Sequence, residues 1–323
     1  MSTAIIAAPQ SKWIINKPQD LLFFTGSAIF GYALMLIGLA LGNVPALLVL
    51  LLALLIDGPH VYCTATRAFF DPEERNRIGL TWWLLLLLCS LSPVISWLIG
   101  HRALSLFVAS WAIYHVSKQH LGFVMIYRRK AREREHFRLD KWFTLASLML
   151  PFAFYLSTVF IGSMKALPVF LTAGVVLAAI YVNQQCRNQT HNWPKLLLLI
   201  LFTPLQWCAW IYAAAEPTSP SRVVAATLMV NVGHSLQYLR LTWFHNHNRY
   251  QTRSGLIGLI SKKWIYFLTV AVLLAFPSYV IRHFDSGMLS AATLGFLMFH
   301  FVLDARIWRL RGDNELAAAL NLN

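Results

Sequence analysis

The chain has 323 residues, of which 58% are hydrophobic and only 12% are charged. Soluble domains carry about 25% charged residues, so this composition argues against a soluble enzyme and indicates a membrane protein. The formal net charge is +14, which would suggest nucleic-acid binding in a soluble protein. Here the Lys and Arg residues lie between apolar runs. We therefore interpret them as topology signals and contacts to anionic membrane lipids, and expect no nucleic acid as a partner.

Ten apolar segments follow one another along the chain. A membrane-spanning helix needs about 20 mostly apolar residues, and each segment approaches or exceeds that length. These segments predict an all-α fold, a polytopic membrane bundle of about ten transmembrane helices. The bundle forms one domain, residues 21–310, which follows an N-terminal segment, 1–20, and precedes a tail, 311–323. The predicted spans cover residues 21–43, 46–66, 81–99, 103–127, 142–163, 166–183, 195–214, 222–244, 264–282 and 287–305.

The Lys and Arg residues are distributed unequally between the two sides of this predicted bundle. If the N-terminus is cytoplasmic, twenty of them lie in cytoplasmic segments and four lie on the opposite side. Because short cytoplasmic loops are enriched in Lys and Arg, the bias predicts that both termini are cytoplasmic. The expected location is a bacterial inner membrane.

Five histidines and two aspartates fall within or at the inner ends of the predicted spans. Ionisable side chains in hydrocarbon cost at least ~2.5–3.5 kcal/mol each on insertion scales, so they require partners or a function. All seven lie on even-numbered spans and in the cytoplasmic half, which puts them in one layer roughly 10–20 Å from the cytoplasmic surface. They are Asp57 and His60 on span 2, His115 and His120 on span 4, His234 on span 8, and His300 and Asp304 on span 10.

The spacing of these residues favours one shared metal site. Asp57 and His60 are three residues apart, and His300 and Asp304 are four apart, so each pair shares a helix face. Imidazole with carboxylate and without thiolate suits non-haem iron, copper or zinc. The five histidines are predicted ligands, and the aspartates are either ligands or supports of an imidazole N–H. Three tyrosines near them are candidates for proton donation or substrate contact: Tyr62, Tyr114 and Tyr238.

Two short motifs resemble known membrane enzymes. The segment from His115 to His120 has the HxxxxH spacing of the first histidine box in membrane desaturases and hydroxylases, which use a histidine-rich di-iron centre. Asp57-Gly-Pro-His60 inside a span, with isolated intramembrane histidines further on, resembles the bacterial and archaeal membrane β-carotene dioxygenases. That resemblance implies iron held by histidines from different helices.

Together these features predict an integral-membrane oxygenase or oxidase with mono- or dinuclear non-haem iron. Its substrate is expected to be lipophilic, an isoprenoid, carotenoid or acyl lipid, with dioxygen as the co-substrate. An electron-donor protein is a further candidate partner. Copper is an alternative metal, and haem b between paired histidines is an alternative cofactor for an electron carrier or oxidase. A third alternative is a metal or proton transporter, whose site would need access from both faces of the membrane.

Overall fold

A computed structural model describes residues 12–187, 191–284, 287–310 and 312–322. These residues form helices joined by short connections, and this part of the chain contains no strand. The helices are, in chain order, α1 Lys17–Leu41, α2 Ala46–Ala68, α3 Pro72–Ser90, α4 Ser92–Ile99, α5 His101–Lys130, α6 Phe137–Ile161, α7 Leu167–Arg187, α8 Trp193–Ala214, α9 Pro220–Tyr250, α10 Gly255–Lys262, α11 Trp264–Phe284, α12 Met288–Ile307 and α13 Asn314–Ala319.

The helices confirm the prediction of an all-helical protein with membrane-spanning segments. Among the described residues, seven helical stretches are long and apolar enough to cross a membrane, where ten spans were predicted. They are Lys17–Leu41, Ala46–Ala68, Trp82–Ile99, Phe137–Ile161, Met164–Arg187, Trp193–Ala214 and Met288–Ile307.

The three remaining predicted spans also correspond to helices. Helices α5 and α9 have 30 and 31 residues, but the histidines and other polar residues that they carry lower their mean hydropathy. Helices α10 and α11 together form a further candidate span, over Gly255–Lys262 and Trp264–Ser278, with a bend of 119° between them. Helices α5 and α9 therefore miss the hydropathy criterion because of their composition, and they are two of the four helices that carry the predicted ligands.

Helix α2 changes its hydrogen bonding where the predicted site begins. It takes a π-helical form over Ala53–Asp57, which ends two residues before Pro59. Proline lacks an N–H and its ring clashes with the carbonyl four residues earlier, so a regular α-turn cannot continue through this point. The π-turn accommodates Pro59 without ending the helix, and such turns are frequent at functional sites.

Helix α9 lies at the centre of the bundle and packs against α1, α2, α5 and α8. Its contact with α1 is close because Gly31 lies against its backbone: a Cβ atom at this position would be 2.4 Å from the carbonyl oxygen of Met229. Small residues allow such close approach between helices in membranes. This packing holds the histidine of α9 in the interior.

Ion pairs and the C-terminal segment cover one end of the bundle. Arg249 donates to Glu73 at 2.7 Å and to Glu315 at 2.8 Å, and Arg253 donates to Glu73 at 2.8 Å. The hydrogen bonds from Arg253 and then Arg249 lower the pKa of Glu73. Helix α13, predicted as part of a tail, therefore packs against the bundle rather than extending from it.

Candidate metal centre

Four of the five predicted histidine ligands meet in a closed ring inside the bundle. The ring centres are 5.0 Å apart for His60 and His234, 5.4 Å for His234 and His115, 5.0 Å for His115 and His300, and 5.2 Å for His300 and His60. Imidazoles that share one ion through bonds of about 2.1 Å have ring centres about 4.5–5.5 Å apart. The spacing therefore fits side chains that share a small cation. We call these four residues the histidine ring.

Asp304 adds a carboxylate to two members of the histidine ring. Its Oδ2 atom lies 3.7 Å from Nε2 of His115 and 3.7 Å from Nε2 of His300. One ligand atom from each of these three buried residues lies within 4.8 Å of the other two. Two atoms bound to one ion at about 2.1 Å are about 3.0–3.6 Å apart, so a small contraction would seat an ion among them. We call His115, His300 and Asp304 the triad.

The ligand atoms of the triad have no hydrogen-bond partner in the part of the chain that the structure describes. This holds for Nε2 of His115, Nε2 of His300 and Oδ2 of Asp304, and for both ring nitrogens of His234. A buried polar atom without a partner costs about 1–3 kcal/mol. A bound cation would satisfy the ligand atoms of His115, His300 and Asp304 together, and only one nitrogen of a neutral His234 has a lone pair to offer.

Three side chains hold the triad from behind. The Tyr238 hydroxyl donates to Oδ1 of Asp304 at 2.5 Å, and Nε1 of Trp308 donates to that hydroxyl at 3.0 Å. The Thr64 hydroxyl donates to Oδ1 of Asp304 at 3.1 Å and lies 2.9 Å from Nδ1 of His300. Because its one hydrogen goes to the carboxylate, Thr64 accepts the Nδ1–H of His300. The Nε2 lone pair of His300 therefore remains free for a metal.

His60 is oriented in the same way, by Asp57 and Ser235. Its Nδ1 atom contacts the backbone carbonyl of Asp57 and lies 3.0 Å from the Ser235 hydroxyl. A carbonyl only accepts, so Nδ1 carries the hydrogen and Nε2 keeps the lone pair. Ser235 donates to Oδ1 of Asp57 at 3.1 Å, and that oxygen lies 3.6 Å from Nδ1 of His60. The Asp57 carboxylate therefore lies on the Nδ1 side of His60, where the backbone carbonyl of Asp57 accepts the Nδ1–H.

His120, the fifth predicted ligand, lies beside the histidine ring. Its ring centre is 6.4 Å from that of His234 and 4.5 Å from that of Phe202. Its Nδ1–H donates to the carbonyl of Val116 at 2.9 Å, and its buried Nε2 has no partner among the described residues. The HxxxxH spacing thus puts His120 at the edge of the cluster and outside the triad, because residues five apart on a helix do not share a face.

The three predicted tyrosines lie in three different environments. Tyr238 is buried and bound to Asp304, and Tyr62 stacks on Phe296 with ring centres 4.7 Å apart. Tyr114 is 44% exposed on the outer surface of α5, so the structure does not bring it to the cluster. It precedes His115, and adjacent residues on a helix point about 100° apart. Adjacency to His115 in the sequence therefore did not predict where the side chain of Tyr114 lies.

The sequence reasoning missed Thr64, Ser235 and Trp308 as parts of the site. Thr64 lies four residues after His60, and Trp308 lies four residues after Asp304. Residues four apart share a helix face, so a polar group one turn beyond a predicted ligand is a usable signal for a supporting residue. Ser235 directly follows His234 and carries no such signal, because it supports a histidine from another helix.

A cavity of about 100 Å³ adjoins the histidine ring. His60, His115 and His234 contribute to its wall, together with the polar side chains of Asp57 and Asn231. Most of the remaining wall is apolar and comes from α2, α11 and α12. The cavity therefore borders the triad at His115, and its wall is mostly apolar.

Replacing Tyr238 by phenylalanine should weaken metal binding and leave the fold intact. The change removes the hydroxyl that holds Asp304, and losing such a support typically costs 10–100-fold in metal affinity. Metal content after dialysis against graded chelator would measure the effect. Tyr32→Phe is the matched control, because its hydroxyl bonds the Leu201 carbonyl away from the site. Equal metal retention by both variants would contradict the supporting role of Tyr238.

No protein-family model, curated protein or solved structure matches this chain. The candidate site therefore stands on its own geometry.

Proposed function

We propose that the protein is an integral-membrane non-haem iron oxygenase or oxidase that acts on a lipophilic substrate. One observation carries the proposal: ligand atoms of His115, His300 and Asp304, brought from two helices and without hydrogen-bond partners among the described residues, converge in the interior. Two histidines and one carboxylate that leave other coordination positions open are typical of non-haem Fe(II) oxygenases. His60 and His234 are additional ligands, or they line the open positions.

The ligand set favours iron over the alternatives. The triad contains no thiolate, which selects against soft-metal centres, and copper remains the second choice of metal. Two axial imidazoles on a haem iron have ring centres about 6.4 Å apart across the macrocycle, further than the 5.0–5.4 Å between neighbours in the histidine ring. The pair His120 and His234 has that separation, but a haem held by it would leave His60, His115 and His300 without a role. A haem site would also leave Asp304 without a role.

The residues of the site have different roles in the proposed reaction. Iron, when bound, would supply the activation of dioxygen. His115, His300 and Asp304 would hold it, and Thr64 and Tyr238 would fix the orientation of the ligands. The surrounding helices keep water away from the site, which strengthens the electrostatic interactions inside it.

The proposed topology has ten spans with both termini cytoplasmic, in a bacterial inner membrane. The excess of Lys and Arg in alternate loops supports it. Helices α5 and α9 have the length of spans, and their histidines His115, His120 and His234 are buried in the bundle interior, where they are tolerated. In this topology the histidine ring lies in the cytoplasmic half of the membrane. An electron-donor protein would then dock on the cytoplasmic side, and anionic lipids would contact the basic loops.

Metal analysis and an absorption spectrum of the detergent-purified protein test this proposal. We expect iron bound to the chain, no haem Soret band, and dioxygen consumption when a reductant and a lipid extract are supplied. His136→Ala and His191→Ala are controls that should leave the metal content unchanged, because these histidines lie in loops. A Soret band would favour the haem alternative, and metal or proton uptake into proteoliposomes would favour a transporter. Either result would overturn the proposal.

A further inference from the structure

The cavity beside the histidine ring has small residues in its wall where α2 meets α11. Ala53 and Gly58 of α2 and Ala275 of α11 line it, and a Cβ atom on Gly58 would lie 3.2 Å from that of Ala275. Half-buried Leu54 and Leu297 extend the apolar wall. One water occupies roughly 10–15 Å³ on a comparable measure, so about 100 Å³ holds one end of a long lipid but not the whole chain.

Two hydrogen-bond acceptors face this apolar space. The Asp57 side chain is 30% exposed, and of its two oxygens Oδ1 accepts from Ser235. The Asn231 side chain also lines the cavity, and its buried Oδ1 has no partner among the described residues. A hydroxyl that ends a ligand has one hydrogen, which it would share between both acceptors in a three-centre hydrogen bond, whereas a purely apolar ligand would supply no donor, at a cost.

The net charge of the site favours a ligand whose hydrogen-bond donor group is uncharged. This step rests on the proposed function, because it counts a divalent metal ion at the triad. The ion and the carboxylate of Asp304 leave one positive charge, which the carboxylate of Asp57 offsets. A net charge is expensive in the membrane interior, so a ligand that adds an ammonium or a carboxylate would disturb this balance. A hydroxyl group provides the donor without adding charge.

We propose that the cavity binds the hydroxyl end of a lipid alcohol, with its one hydrogen shared between Asp57 and Asn231 as acceptors and the histidine ring beside the first carbons. The rest of the apolar chain lies between the helices and the bilayer. Asp57 and Asn231 are thereby assigned as determinants of substrate specificity. This narrows the substrate class from lipophilic molecules in general to hydroxylated chains.

Competition binding to the full-length protein in nanodiscs tests this inference. Tritiated hexadecanol is the probe, and unlabelled hexadecanol, its methyl ether and hexadecylamine are competitors of matched chain length. The ether accepts but cannot donate, and the amine is cationic. We expect the alcohol to compete about ten- to a hundredfold better than the ether, the range for a hydrogen bond to a charged acceptor. The amine should compete no better than the ether.

Variants locate the binding determinants. Asn231→Leu and Asp57→Leu should each reduce the preference for alcohol over ether at least about fivefold. Thr227→Val on the same helix as Asn231 is the matched control, because Thr227 bonds the Val223 carbonyl and should leave the preference unchanged. Monodisperse elution establishes that each variant is folded, and Asn231→Leu keeps the test decisive if Asp57→Leu does not fold.

The outcomes separate this inference from the proposed function. If ether and alcohol compete equally, or the amine competes best, the inference is overturned, while iron found in the same sample leaves the proposed function standing. If the protein holds no metal and still prefers alcohol, the proposed function fails and the assignment of the cavity stands.

Discussion

Replacing Asp304 by alanine should lower the metal affinity of the protein by more than about a hundredfold. Loss of a residue that only supports a ligand costs 10–100-fold, and Asp304 contributes both a ligand atom and the negative charge that offsets the metal. Its Oδ2 faces Nε2 of His115 and of His300, each at 3.7 Å, and it has no other partner among the described residues. Metal per chain after purification in weak chelator would measure the loss.

Companion variants show whether the triad acts as a unit. His115→Ala and His300→Ala should reduce metal content as strongly as Asp304→Ala. Asp304→Asn keeps the shape and removes the charge, so it should retain more metal than the alanine variant. His191→Ala is the control for loss of a histidine outside the cluster. Similar metal content in the triad variants and this control would contradict the ligand assignment.

Replacing Asp140 by alanine should destabilise the protein by about 3–5 kcal/mol, the cost of removing one partner from a buried ion pair. Asp140 is fully buried and accepts from Arg128, from the fully buried Lys195 at 3.0 Å, and from the Tyr181 hydroxyl at 2.7 Å. Without it, the two buried cations retain, among the residues that the structure describes, only the partly exposed Glu133 as an acidic partner. Thermal unfolding in detergent, followed by circular dichroism, would measure the loss of stability.

A double variant and a surface pair serve as controls for this prediction. Adding Lys195→Met to Asp140→Ala removes one of the stranded charges and should recover part of the stability, because apolar replacement of buried ion pairs is often nearly neutral. Glu216→Ala breaks an exposed pair with Arg222 and should cost less than about 1 kcal/mol. If Asp140→Ala costs no more than Glu216→Ala, the buried network does not stabilise the fold.

The prediction of one histidine cluster rested on the free-energy cost of placing histidines in apolar spans and on their common depth in the membrane. His60, His115, His234 and His300 were each too costly in an apolar span to lack a partner, and their positions placed them in one layer. The structure brings these four together. His120 satisfied the same criteria and still lies to one side, because depth along a helix says nothing about the direction in which a side chain points.

The structure supports some of the predicted spans more strongly than others. Apolar runs identified helices in every predicted region, and length and composition support seven of them as candidate spans. Helices α5 and α9 fall short because they carry the polar residues of the site. A hydropathy criterion is therefore weakest where a membrane helix is most functional, since polar side chains that face other helices count as if they faced lipid.

The sequence by itself determined that this is a helical membrane protein, which residues are too polar for lipid, and which of them share a helix face. These properties are local, because they follow from side-chain chemistry and the 3.6-residue repeat. Only the tertiary structure decided that Asp304 joins His115 and His300, that Asp57 stands behind His60, and that Thr64, Ser235 and Trp308 support them. These relations depend on how each helix is rotated and packed against its neighbours, and such contacts between residues up to 240 positions apart leave no periodic trace in the chain.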